Sequence, residues 1–415
     1  MTAVRVLLLA AASVVLGACA DPASPNGAPD EIKTLPRALS PAESEIVAAT
    51  GTFAFNLLRE VNADWRDDNL FISPLSASMA LGMTMNGTAG TTFDEMRQVL
   101  GFGTRPQAEI NAGYQGLITM LQGLDPGVTF QLANAIWYDR PFEPHINPPF
   151  LTEVRQWFDA EVSALDFGTA ESVEAINDWA SAATNGKIDR VIDDTGGNLV
   201  MLLANAIYFK GDWRNQFDKA KTRPAPFRTL AGTEVQVPTM QREGPLLHGA
   251  LDNAAVFELP YGGNAYAMTI LLPSEGVDVN DFVASLTPER WQQATSNLVE
   301  RENTIHLPKF TLEWKDTLNS PLQRLGMQSA FVYGQADFTN LSQTRGRDLY
   351  VSFVRQDAFV DVNEEGTEAA AVTTVGIVDV SAPLPAIINR PFVFAIRERL
   401  SGTILFVGKI VDPRG

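Results

Sequence analysis

The chain has 415 residues, 45% of them hydrophobic, which is enough to bury a large core. Its 31 Lys and Arg stand against 49 Asp and Glu, and the net charge of −18 excludes a surface suited to nucleic acid or to acidic membranes. Three widely separated histidines (His145, His248 and His306) and a single cysteine exclude a zinc-like ligand spacing, and no metal or cofactor is expected.

The apolar run Val6 to Leu16 is too short to span a membrane but suits a secretory signal. It ends in Leu16-Gly17-Ala18-Cys19, which resembles a bacterial lipobox in which Cys19 would be lipidated and become the new N-terminus. Lipidation accounts for a lone cysteine in an exported chain; the alternative is a plain signal peptide cut nearby, leaving a free thiol. Residues 1–19 are therefore expected to be a lipoprotein signal. Residues 20–39, rich in Pro, Ala and Asn without periodicity, are expected to be a flexible tether. The body would be exported and held at the outer membrane, cell surface or periplasm only through the lipid, or released outside the cell.

Ser40-Pro41-Ala42-Glu43 is a capping box that opens a helix through Phe53, Leu57 and Leu58 to about Val61. After Ser73-Pro74-Leu75-Ser76 comes a helix whose methionines (Met79, Met83, Met85) read as core, and then a short helix from Thr92 to Leu100. Pro148 to Leu165 reads as one amphipathic helix and Val173 to Thr184 as another. The stretch Leu132-Ala133-Asn134-Ala135-Ile136 recurs as Leu203-Ala204-Asn205-Ala206-Ile207. Both copies look like strands buried on two faces, and their asparagines are expected to bridge neighbouring strands, because an unpartnered buried amide costs ~1–3 kcal/mol. Beyond Pro226 short strands dominate, with a helix from Leu318 to Leu325. No linker interrupts residues 40–415, so a single α+β domain is predicted.

Near the C-terminus, Ala358 to Asn363 alternates like a half-buried strand and runs into Glu364-Glu365-Gly366-Thr367-Glu368-Ala369-Ala370-Ala371-Val372-Thr373. This run could be a short helix capped by Thr367, a flexible tether, or a strand held in reserve. As a strand it places Thr367, Ala369, Ala371 and Thr373 on one face, small enough to enter a sheet without overfilling the core. Apolar strands follow at Pro391-Phe392-Val393-Phe394 and Ile404 to Ile410.

Hydrolase chemistry has little support. No Gly-x-Ser-x-Gly turn or glycine-rich phosphate cradle occurs, and Asp194-Thr195-Gly196 reads as a turn. The hinge Glu-Glu-Gly-Thr-Glu-Ala-Ala-Ala and the Pro-Phe-Val-Phe signature instead resemble the serpin family, over nearly all of residues 43–415.

The resemblance implies about nine helices packed on three β-sheets, with a reactive-centre loop exposed at about residues 364–388. By family spacing the scissile bond is Val380-Ser381. Ser73, Ser76, Asn205, Trp213 and Gln356 match the shutter and breach positions, Gln356 standing where many serpins have histidine. The resemblance further implies a monomeric suicide inhibitor that forms a covalent acyl-enzyme with a serine protease, elastase-like because Val380 suits a small apolar pocket. The alternatives are a bond one residue earlier, suited to an Asp-specific protease, a cysteine-protease target, or a non-inhibitory binding or chaperone module. No Lys/Arg cluster of the kind some serpins use for heparin is present, so no heparin cofactor is expected.

Overall fold

The computed structural model describes residues 29–367 and 384–415. Its first helix, α1 (Pro41–Asp64), begins at the predicted capping box: Ser40 Oγ accepts from the Glu43 amide while the Glu43 carboxylate accepts from the Ser40 amide. The helix runs past Val61 because Arg324 ties its last turn, at Glu60 and Asp64. Strand β1 (Leu70–Ile72) leads to α2 (Pro74–Met85), α3 (Gly90–Val99) and α4 (Gln107–Leu121). In α4 the apolar spacing Ile110, Tyr114, Leu117, Leu121 is diluted by two glycines. Gly113 is needed where α1 crosses, since a Cβ there would stand 2.8 Å from the Ala42 carbonyl oxygen.

The next elements are β2 (Val128–Asp139), α5 (Pro148–Phe158), β3 (Glu161–Leu165), α6 (Ala170–Ala183) and β4 (Met201–Asp212). The helix expected over Pro148 to Leu165 therefore stops at Phe158. Asp159 takes a left-handed φ of 50°, which reverses the chain, and residues 161–165 pair in parallel with β2. The helix that packs on the sheet face is α6, with Trp179 edge-on to Trp137 at 5.2 Å and Ile176 buried beside them.

The C-terminal half comprises β5 (Arg223–Arg228), β6 (Glu234–Leu251), β7 (Ala254–Tyr261), β8 (Tyr266–Pro273), α7 (Val279–Ser285), α8 (Pro288–Ser296), β9 (Val299–Pro308), β10 (Phe310–Thr317) and α9 (Asn319–Arg324). It closes with β11 (Arg355–Val362), the two-residue β12 (Gly366–Thr367), β13 (Ala386–Ile387), β14 (Phe392–Glu398) and β15 (Ile404–Ile410). One sheet has the order β10-β11-β12-β4-β2-β3. The other strands form two sheets sharing β6: its C-terminal end joins β7-β8-β14-β15-β1, its first part pairs with β5, and its middle pairs with β9, which carries β13 on its far edge. Nine α-helices and three sheets are thus present among the described residues, as expected.

One expectation fails at the N-terminus. Residues 29–39 are not a tether but lie on the body, with Ile32, Leu35 and Leu39 partly buried and Arg37 forked onto Glu43. The spaced apolar residues in this short stretch pack against the core, which its Pro-rich composition does not announce.

Candidate functional site

The site lies where β11 gives way to the hinge. Asn363 makes the bend: its Oδ1 accepts from the Glu365 amide at 3.0 Å, and its own amide donates to Gly366 O at 3.0 Å. The chain then enters the sheet as β12, antiparallel to both neighbours, with Thr367 opposite Val362 of β11 and Gly211 of β4. Only glycine fits at 366, since a Cβ would approach Asp212 Cα to 2.7 Å. Of the three readings open at the sequence level, the strand is the one adopted by Gly366 and Thr367.

Trp213 organises this end of the sheet. Its amide donates to Glu365 O at 2.8 Å and its indole to Asn363 O at 2.9 Å, while the Phe217 amide donates to Glu364 O at 2.9 Å. The indole stacks on Tyr261, with centroids 4.4 Å apart and an interplanar angle of 11°. The Tyr261 hydroxyl lies 2.8 Å from Thr367 Oγ1, so the hinge threonine is buried against a phenol that burial keeps protonated.

Two carboxylates fasten the approach. Burial pushes the Glu364 carboxyl up, but Lys309 at 2.8 Å and Thr222 at 2.7 Å hold it below the usual carboxylate range. Glu365 pairs with Lys219. Asp212, beside the hinge, shifts the other way, raised by burial and by the charge of Glu365 against the opposing pull of Lys210.

Below Thr367 the sheet is different. Between β4 and β11 runs a cavity of about 1120 Å³, with Leu203, Asn205 and Ile207 on one side, Phe353 and Gln356 on the other, and Ser76 of α2 beneath. Met201 to Asn205 are only half-buried although β4 is central, so the expectation of a strand covered on both faces fails along this stretch. β12 fills two residues of a gap whose walls run for eight and twelve.

The predicted shutter residues meet at this cavity. The Gln356 amide closes a pair with the Ser73 backbone, Oε1 accepting from the amide at 3.0 Å and Nε2 donating to the carbonyl at 2.8 Å. Ser73 Oγ donates to Leu405 O and accepts from the Ser76 amide, which starts α2. The two asparagines face each other across β2 and β4 as predicted, Asn205 Nδ2 donating to Asn134 Oδ1 at 2.7 Å. Asn205 Oδ1 is buried, and no described residue bonds to it. Cys19, the hinge from Glu368 to Thr373, and Val380 with Ser381 lie outside the described residues.

Sequence reasoning missed Tyr261, Phe217, Lys309, Thr222 and Lys219. It also placed Asn363 at the end of the strand, although an Asn two residues before Glu365 is a signal for this bend. Tyr261 gave no such signal, since in Leu-Pro-Tyr-Gly-Gly it reads like any strand end.

Comparison with known proteins agrees with this architecture. A family model described as serpin (serine protease inhibitor) matches residues 48–413. Leukocyte elastase inhibitor of Sus scrofa is 36% identical over 386 residues, covering 89% of this chain and all of that protein. Iripin-2 of Ixodes ricinus is 35% identical over 378 residues, covering 89% and 94%. The native-state crystal structure of the thermophilic serpin tengpin aligns with a TM-score of 0.80 at 29% identity, covering 93% of this chain and 97% of tengpin. A hinge seated in a six-stranded sheet above an open slot, and matches of this extent, agree: the chain belongs to the serpin family, described as serine protease inhibitors rather than enzymes.

Proposed function

We propose that this protein is a suicide-substrate inhibitor of elastase-like serine proteases, with Val380-Ser381 as the bond offered. The observation that carries the reading is the two-residue strand Gly366–Thr367, already in register between β11 and β4 at the head of the 1120 Å³ slot. Insertion of a chain segment into an existing sheet is a recognised mode of recognition and strain release, for which serpins are the standard example.

The protease nucleophile attacks the Val380 carbonyl and the bond to Ser381 breaks, leaving an acyl-enzyme. The segment freed at its C-terminal end follows Thr367 into the slot and carries the tethered protease with it. Fourteen residues at ~3.3 Å each cover about 46 Å. About ten new ladder hydrogen bonds at ~1 kcal/mol each supply on the order of 10 kcal/mol. The small side chains Ala369, Ala371 and Thr373 suit the buried face that Thr367 begins.

The elastase preference draws support from Val380 and from the similarity to leukocyte elastase inhibitors. Export and anchoring through a lipid on Cys19 belong to the same proposal and draw on the apolar run that ends at that residue. Incubation with a panel of proteases followed by a denaturing gel tests the reading: an SDS-stable complex with an elastase-type enzyme near equimolar ratio is expected. Mass spectrometry of the released C-terminal peptide should find Ser381 at its start. A peptide beginning at Val380 would move the bond to Asp379.

A further inference from the structure

The chain enters the body at the same end as the hinge. Arg214 donates to Pro29 O at 3.0 Å and to Gly262 O at 3.1 Å. The Ile32 amide donates to Gly263 O at 2.7 Å, and Asn264 Nδ2 donates to Glu31 Oε1 at 2.9 Å. The receiving turn is gathered by Asp125, whose carboxylate accepts from the amides of Gly127, Gly263 and Ala265. Gly263 lies so near the arm that a Cβ would stand 2.8 Å from Asp30 O. At the far end Arg37 holds the Glu43 carboxyl down to about 2.

The contacts at Arg214 and at the turn lie next to hinge contacts. The turn directly follows Tyr261, which bonds Thr367, and Arg214 directly follows Trp213, whose amide holds Glu365 O.

We propose that residues 29–39 are a clasp that fixes the point of attachment beside the reactive loop. A molecule held by its N-terminus at a membrane then presents its loop toward that membrane, and the protease it takes is one that lies at the same surface. The proposal rests on the loop-cleavage and Cys19-anchor readings above. Nine residues separate Cys19 from Pro29 and reach about 30 Å even when fully extended. A protease of about 240 residues is roughly 45 Å across. With the arm docked, Pro29 and the hinge beside it stay closer to the anchor than the width of a soluble protease. With the arm released, twenty residues reach roughly 65 Å.

Cys19 is the only thiol of the chain, so attachment can be made without biological lipidation. The chain from Cys19 onward is coupled to maleimide lipid in phosphatidylcholine vesicles, and the rate of loop cleavage by a soluble elastase-type protease is measured. The coupled protein should be cut at least fivefold more slowly than the free one. Twenty Gly/Ser residues inserted between Ala28 and Pro29 should restore the rate to within twofold, and the pair Ile32→Asp with Asn264→Ala should restore part of it. Equal rates for coupled and free parent protein would overturn the proposal, as would slowing that the insertion leaves unchanged. Because cleavage is read rather than trapping, a loop that is cut without capturing protease counts against the inhibitory reading alone.

Discussion

The two ends of the slot between β4 and β11 are built differently. At the head, Asn363, Trp213, Tyr261, Lys309 and Thr222 all bond the hinge, and Gly366 lets backbones approach to a distance no side chain allows. At the foot, half of β4 is only partly covered, Asn205 Oδ1 faces no described partner, and Gln356 spends its amide on Ser73. The contrast teaches that Gly366 and Thr367 are paired at the head of the slot, where on the proposed mechanism the strand would continue once a bond beyond them is cut. The pairing of Thr367 with Val362 and Gly211 would then set the register for the residues that follow.

The largest expected effect comes from blocking that continuation at its first residue. Thr367 is 4% exposed and bonded to Tyr261, so Thr367→Arg buries a charge without a partner. The yield of SDS-stable complex should fall at least tenfold while the loop is still cut, as read on a denaturing gel. Gly366→Val should come next. Its Cβ meets Asp212 Cα, so β12 is expelled, and the uncleaved protein should lose about 1–3 kcal/mol in urea unfolding.

The Glu364–Lys309 pair sharpens the comparison through pH. The carboxyl is lowered in the folded state, so its contribution is present above the unfolded carboxylate value of about 4.5 and is lost as pH falls through the folded value. Lys309→Met should cost about 1 kcal/mol at pH 7, kept small because Lys309 is over a third exposed. The difference between variant and parent should shrink below pH 4.5.

The smallest effect belongs to the foot. Gln356→His would set an imidazole against the Ser73 amide, and protonation near pH 6.5 removes its acceptor. Stability of the variant relative to the parent should drop by about 1 kcal/mol between pH 7.5 and 5.5, followed by thermal unfolding.

The sequence made some of this legible and hid the rest for identifiable reasons. The capping box at Ser40, the methionine core of α2 and the Asn134–Asn205 bridge follow from local chemistry that tertiary context does not override. The break at Asp159 was illegible, because one left-handed residue ends a helix whose apolar pattern runs on into β3. The half-exposed stretch of β4 was hidden too. Its composition is that of a buried central strand, and only the spacing of its neighbours reveals that one flank faces a cavity. The hinge was read from a local motif, of which Glu364 to Thr367 are described, whereas its holders Tyr261, Thr222 and Lys309 lie on strands and turns far away in sequence.

Thermal unfolding of the intact protein against the same protein nicked within residues 374–383 tests most directly whether the slot takes in the chain that follows Thr367. Filling it with about ten hydrogen bonds should raise the midpoint by on the order of 10–15 °C. An unchanged or lower midpoint after cleavage would mean that nothing enters the space between β4 and β11, contrary to the mechanism proposed.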